Sequence, residues 1–522
     1  MKFRDRKKTL GLIFASLLLA SLACSLPLAA PTPSIGPPPT IVWNTNTPGP
    51  VTEPIFDAQP ATETPEPPTP TLPPTVTLPP GAVDTSPYLY YTQAGDTLHS
   101  LSLRFSVLPE EITSNEPVPQ TGLINPDQLL VIPRRLYNTS NAERLIPDSE
   151  IVYGPSAIDF NITGFTNYGG GYLNTYGEYL ASTGQTNGAN VLGRVALENS
   201  INPRMLLALL EYQSGWVFGN PVGGNKIDYP MGLVDLSKEG LFKQLTWASD
   251  QLAIGYYGWR EGTLTEINFS DGVTVRFAPD LNAGTVAMMY FFAQLTDSTG
   301  WVQATNPETG FPALYTSLFG NPWLMAAAVE PLYPPTLTQP IMILPFAVDQ
   351  IWAYSGGPHG AWTRQGARAA LDFAPGSTEA GCTPSNSWVV AAAPGLVVRS
   401  GKGVLVLDMD GDGHEQTGWV MLYMHIATEN KIPVGSWVVQ GQFLGNPSCE
   451  GGFSTGTHVH IARKYNGEWI LAGGAMPFTL SGWVAGAGEK PYEGTLTRDG
   501  VAITANPYGT FDTRIIRAKD DP

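Results

Sequence analysis

Five of the six histidines in the chain, His359, His414, His425, His458 and His460, lie beyond residue 340. Thr457-His458-Val459-His460 is the sharpest pattern among them. On a β-strand, residues two apart face the same way, so both imidazoles would enter one cleft. Asp372, in Ala370-Leu371-Asp372-Phe373, ends an apolar run and can supply a carboxylate there. His359 sits in Gly356-Gly-Pro358-His359-Gly360, read as a turn that can bring in another ligand. Two imidazoles and one carboxylate would leave one tetrahedral position of Zn²⁺ open, the pattern of a catalytic rather than a structural site. His425 and His458 are then free for acid–base work or for polarising a carbonyl. An isolated His-x-His is ordinarily a core or surface pair; the joint arrangement points to a centre.

The elements that must hold these residues are short apolar strands. Trp388–Ala391, Leu396–Arg399, Val404–Leu407, Trp419–His425 and Trp437–Val439 are separated by Gly and Pro turns, as in an all-β antiparallel sheet or sandwich. Residues 340–480 resemble the zinc endopeptidases of the lysostaphin and β-lytic metallopeptidase group, which cleave peptidoglycan peptides. The resemblance implies that His359, Asp372 and His460 hold zinc and that His425 and His458 are the catalytic histidines. Ser454-Thr455-Gly456-Thr457 also fits the group. The lysostaphin branch begins with His-x-x-x-Asp, but Arg368 stands four residues before Asp372 and cannot ligate a metal. His359, thirteen residues before Asp372, suits the β-lytic branch.

Two neighbouring patterns carry less. Asp408-Met-Asp410-Gly-Asp412-Gly413 begins like a Ca²⁺ loop, but its twelfth position is Trp419 rather than glutamate, so an acidic hairpin turn containing His414 is expected. Tyr492–Ile503 reads as a hairpin about Asp499-Gly500, within a C-terminal β appendage (481–522) of no evident function.

Residues 150–335 are helical in pattern. Asn202-Pro203 starts a helix that runs on through Leu206, Leu210, Glu211 and Gln213 to Trp216. It is similar to the catalytic helix of the soluble lytic transglycosylase and goose-type lysozyme group. Leu281-Asn282-Ala283-Gly284-Thr285 is similar to a second segment of that group. The group's acid falls on Gln213, whose amide cannot donate a proton to a glycosidic oxygen. Glu211 points about 200° away around the helix. An inactive, lysozyme-like, mainly α domain is expected.

Residues 88–136 open with the strand Tyr88–Tyr91. Asp96 or Thr97 can cap a helix with Leu98, Leu101, Leu103 and Phe105 as its apolar face, a second short helix follows near Pro109–Asn115, and Leu129–Ile132 closes the unit. The segment resembles the lysin motif (LysM), a small α+β (βααβ) module. This implies binding of N-acetylglucosamine glycans, chiefly peptidoglycan, through Gly95, Asp96 and Thr97. His99 is expected at the surface.

Ahead of it, Lys2–Lys8 and the apolar run Leu10–Ala23 read as a signal peptide (1–23). Ser21-Leu22-Ala23-Cys24 resembles the bacterial lipobox and implies lipidation at Cys24; plain secretion is the alternative. Residues 24–87 form a Pro/Thr-rich stalk, with 19 prolines between Pro27 and Pro87. Cys382 and Cys449 are the only other cysteines, and in an oxidising compartment they read as one disulfide, or alternatively as zinc ligands. A net charge of −17, with 28 Lys+Arg against 45 Asp+Glu, excludes nucleic acid and an anionic membrane face as partners. The expectation is a multidomain, extracytoplasmic, lipid-anchored zinc endopeptidase acting on peptidoglycan. The alternative is an inactive wall-binding protein that regulates other hydrolases.

Overall fold

The computed structural model describes residues 85–377 and 379–521. The expected signal peptide, Cys24 and nearly all of the stalk lie outside these residues. Among the described residues no helix is long and apolar enough to cross a membrane.

Tyr88–Tyr91 (β1) pairs antiparallel with Leu129–Ile132 (β2), and Leu98–Phe105 (α1) lies between them in sequence. Thr97 caps α1, its hydroxyl accepting the Ser100 N–H at 2.9 Å. Leu98, Leu101 and Phe105 face inward, as their three- and four-residue spacing dictates. Leu103 is the exception to the expected apolar face. It points outward, and Arg104 is buried in its place, ion-paired to Asp96 at 2.8 Å. The second helix is also shorter than expected. It is a single 3₁₀ turn, Pro109–Glu111, because Thr113 turns back to bridge Val131.

Gly188–Asn199 (α2), Pro203–Ser214 (α3), Leu241–Glu261 (α4) and Ala283–Ala293 (α5) dominate the next segment. Asn202 caps α3 and Pro203 occupies its first turn, where a missing N–H costs nothing. Met205 to Leu210 are all buried, so α3 is a core helix rather than an amphipathic one. It ends at Ser214, two residues before the expected Trp216, because Gly215 takes the left-handed conformation at φ 67°.

The third segment is a nine-stranded, wholly antiparallel sheet. Its strands in chain order are Ile351–His359 (β3), Ala370–Pro375 (β4), Gly395–Gly401 (β5), Gly403–Asp408 (β6), Trp419–Ile426 (β7), Trp437–Val438 (β8), Val459–Tyr465 (β9), Glu468–Trp469 (β10) and, far downstream, Arg514–Ile516. Between β10 and that last strand, Thr479–Leu480 (β11), Trp483–Ala487 (β12), Gly494–Arg498 (β13) and Val501–Thr504 (β14) form a four-stranded sheet. Arg514–Ile516 is therefore β15. The large sheet runs β8-β5-β6-β7-β9-β4-β3-β15, with β10 hairpinned onto β9.

Alternation along these strands builds two cores. Leu371, Phe373, Leu405, Leu407, Met421, Tyr423, Val459 and Ile461 pack on one face, under Ala391–Ala393, Trp483 and Leu496. Ala370, Val404, Val406, Val420, Leu422, Met424 and Ala462 pack on the other, in one core with α2 to α5. The module, the helices and the sheet consequently form one compact unit. A buried network stitches the helices to the sheet. Arg260 of α4 meets Asp148 at 3.0 Å and Glu468 of β10 at 3.1 Å.

Candidate active site

Asp372 lies between Leu371 and Phe373, so it points to the opposite face from them, the face that packs against the helices. His458 and His460 share that face with Ala462, and His460 sits directly across from Asp372 in the β9–β4 register. His359 is the last residue of β3, across from Ala370, rather than a turn residue as expected. The strand continues through Gly356-Gly357-Pro358 because a displaced partner supplies its hydrogen bonds: the Gly357 N–H donates to the Tyr492 carbonyl at 2.8 Å. Only glycine fits at 357, since a Cβ there would lie 2.6 Å from the backbone of Glu493.

His425 reaches the site by a different route. Met424 is across from His460, so in a regular strand His425 would face the opposite core. The register between β6 and β7 shifts at this residue, and its φ is 62°. This left-handed, bulged conformation is unfavourable for a non-glycine residue. It swings the imidazole round to 4.4 Å, ring to ring, from His458.

Every one of the four rings has one nitrogen against a backbone carbonyl. Nδ1 of His359 is 2.7 Å from Gly357 O, Nδ1 of His425 2.9 Å from Glu450 O and Nδ1 of His458 2.8 Å from Gly456 O. Nε2 of His460 is 2.9 Å from Ala361 O. The N–H of each ring is thereby assigned to its carbonyl, and the other nitrogen is left as a lone-pair donor. His359 Nε2, Asp372 Oδ1 and His460 Nδ1 lie 2.9, 3.1 and 3.2 Å from one another. Ligands on a tetrahedral metal with bonds of about 2.0–2.1 Å stand roughly 3.3 Å apart, so this donor set fits Zn²⁺. His458 Nε2 is 3.7 Å from Asp372 Oδ1, the next position outward.

The electrostatics differ from group to group. Burial alone would raise the Asp372 carboxyl, but His359 and His458 hold it well below the usual range. Burial, then the neighbouring His458 and His460, push His425 down to about 3, so its ring stays neutral. Burial lowers His460 likewise, whereas for His359 burial, the largest single effect, is overcome by the charge and hydrogen bond of Asp372 together with the Gly357 carbonyl, and its pKa is raised.

Around the site, Cys382 and Cys449 are joined in a disulfide. It ties the 381–383 loop, which accepts the Thr457 N–H and hydroxyl at Gly381 O and Thr383 O, to the loop supplying Glu450 O and Gly456 O. Tyr492 is a neighbour that the sequence did not reveal. Its ring stacks on His359 at 4.1 Å and 20°, from a turn in the C-terminal appendage.

Residues 144–333 match the family described as LasA, N-terminal domain. The chain is also 28% identical over 298 residues to Protease LasA of Pseudomonas aeruginosa, covering 53% of this chain and 66% of the relative. That is just under two thirds of the relative's length. These matches support homology with the LasA-like peptidases. Among solved structures, the M23 metalloprotease pseudoalterin from the deep sea is 26% identical over 33% of this chain and 96% of its own, with a TM-score of 0.26. The catalytic domain of lysostaphin from Staphylococcus simulans is 26% identical over 23% of this chain and 87% of its own, with a TM-score of 0.17.

The other residues singled out by sequence lie elsewhere. Gly95 and Thr97 line a cavity of about 360 Å³ between the N-terminal module, α4 and residues 468–476. The Asp96 side chain is buried and accepts hydrogen bonds from the Tyr90 hydroxyl, the Gln93 N–H and Arg104. Glu211 accepts the N–H groups of Val217 and Phe218 and closes the turn after α3. Asn282 and Gly284 both donate to Asp148 Oδ1. Asp408 takes up the N–H groups of Asp410, Gly411 and Gly413 in the turn joining β6 to β7.

Proposed function

We propose that the chain is a zinc metalloendopeptidase that hydrolyses peptide bonds of peptidoglycan. In this reading it is held outside the membrane by a lipid on Cys24 and directed to the wall by its LysM-like module. The supporting observation is the fit of His359 Nε2, Asp372 Oδ1 and His460 Nδ1 to three corners of a tetrahedron, each imidazole pinned by a backbone carbonyl on its far side. A Zn²⁺ held there would supply Lewis-acid activation of water and of the scissile carbonyl. His458, whose Nδ1 proton is committed to Gly456 O, presents a bare Nε2 that can accept a proton from the attacking water. His458 can then return that proton to the leaving amine, and His425, neutral and anchored to Glu450 O, packs beside its ring and holds it in place. Burial strengthens these interactions by excluding water.

Enclosure of the same residues favours a second reading, a wall-binding regulator without hydrolytic activity. His359, Asp372, His425 and His460 are all less than a tenth exposed, and their sheet face is packed against helices. One experiment separates the two. The purified protein should bind one equivalent of zinc and release peptides from defined muropeptides, and His460→Ala should lose both. A wild type without zinc that leaves the peptides intact refutes the peptidase.

A further inference from the structure

Arg368, which stands where a related motif has a metal-binding histidine, has a different task in this fold. It precedes Asp372 on the way into β4, and its Nη2 donates to two carbonyls of one turn, Gly488 O at 2.9 Å and Lys490 O at 2.8 Å. The turn is closed on itself by Gly488 N to Glu493 O, Glu493 N to Lys490 O and Lys490 N to the Glu493 carboxylate. At its tip Tyr492 is held at φ 73°. Tyr492 then makes three contacts with the metal-ligand strand. Its carbonyl accepts the Gly357 N–H at 2.8 Å, its N–H donates to Pro358 O at 3.2 Å, and its ring stacks on His359.

Gly357 is the relay. Its N–H is fixed by the turn, and its carbonyl, on the next peptide, takes the His359 Nδ1 proton at 2.7 Å. The turn therefore sets both which nitrogen of His359 is bare and where that nitrogen points. The flanking strands hold the turn to the sheet: β12 and β13 pair with each other, and β15 pairs with Trp352 at the start of β3. Gly357 and Gly494 pack against this junction so closely that a Cβ on either would strike Glu493 or Pro358 at 2.6 Å.

We propose that Arg368 is a positioning residue for His359, acting through the 488–493 turn, and that the C-terminal appendage is a built-in part of the metal centre. This rests on the metal reading above, and the experiment keeps the two apart. Zinc affinity of the full chain is measured by competition with a chromophoric chelator, beside the melting temperature of the zinc-free protein. Arg368→Ala should weaken zinc binding about 10- to 100-fold, the range for losing a residue that orients a ligand. Arg368→Lys, which keeps the charge but ends one atom short of the Nη2 that makes both bonds, should fall between Ala and wild type. Arg498→Ala is the control. It removes bonds inside the appendage, to Ser481 O and Asp521, away from the turn, and should lower the melting temperature without changing zinc affinity. If Arg368→Ala does not fold, Arg368→Lys carries the test, with at least threefold weaker binding expected. Wild-type zinc affinity in a folded Arg368 variant overturns the inference and leaves the metal centre standing. Equal losses in Arg498→Ala and the Arg368 variants overturn it in favour of a general structural role. No zinc binding by the wild type overturns the metal reading itself.

Discussion

Replacing Arg260 with Met tests whether helices and sheet are joined by a charge network or by apolar packing alone. Arg260 Nη2 lies within 3.1 Å of Asp148 and Glu468 carboxylate oxygens and 2.9 Å from the Tyr256 hydroxyl. Burial opposes its charge, but Glu468, Tyr256 and Asp148 outweigh burial and hold its pKa well above the ordinary value. Methionine preserves most of the volume and removes the countercharge. Leaving a buried charge unpaired costs about 3–5 kcal/mol. Glu468, already raised by burial, can escape that cost by taking up a proton. At pH 7, protonating a carboxyl of ordinary pKa near 4.3 costs about 3.7 kcal/mol, and at pH 5 only about 1 kcal/mol. Arg260→Met should therefore lose about 3–4 kcal/mol at pH 7 and regain about 2–3 kcal/mol of it at pH 5. Arg260→Met with Glu468→Gln should recover much of the loss at pH 7, because Tyr256 can still donate to the amide oxygen. Guanidinium unfolding followed by fluorescence reads this well, since buried Trp259 and Trp469 flank the network. A loss under 1 kcal/mol at pH 7, or the same loss at both pH values, would refute the reasoning.

Two further outcomes are expected. Cys382→Ser with Cys449→Ser opens a loop of 67 residues, worth about 4 kcal/mol of chain entropy. It also frees the loop carrying Glu450 O and Gly456 O, so peptide release should fall more steeply than the melting temperature predicts; unchanged turnover in the folded variant would contradict this. Burial raises Asp250 to about 6, with Thr363 as its hydrogen-bond donor. A raised carboxyl pKa means the folded state holds the proton longer, so stability is lost as pH rises from 3.8 through 6. Wild type should lose up to about 3 kcal/mol relative to Asp250→Asn between pH 4 and pH 7, and parallel stability curves for the two proteins would exclude the effect.

Much of this organisation is local and therefore readable from sequence. Alternation alone put His458 and His460 on one face, because side-chain direction in a strand is set residue by residue; Asp372, on another strand, joins them through the β9–β4 register. The Thr97 cap, the Asn202-Pro203 helix start and the Asp499-Gly500 turn, with φ 51° and 79°, are likewise short-range consequences of residue type. Two cysteines in the chain beyond Cys24 left one possible pairing. Tertiary structure decided the rest, where partners far apart in sequence compete for the same groups. Asp96 is withdrawn from the surface because Arg104, folded under the helices, claims its carboxylate. His425 faces the site only because a bulge overrides the strand's alternation. Arg368 and Tyr492 meet around His359 only because the C-terminal strands return to the edge of the sheet. Residue spacing encodes which way a side chain points along one strand; which backbone arrives beside it depends on long-range register, and that exists only in the folded chain.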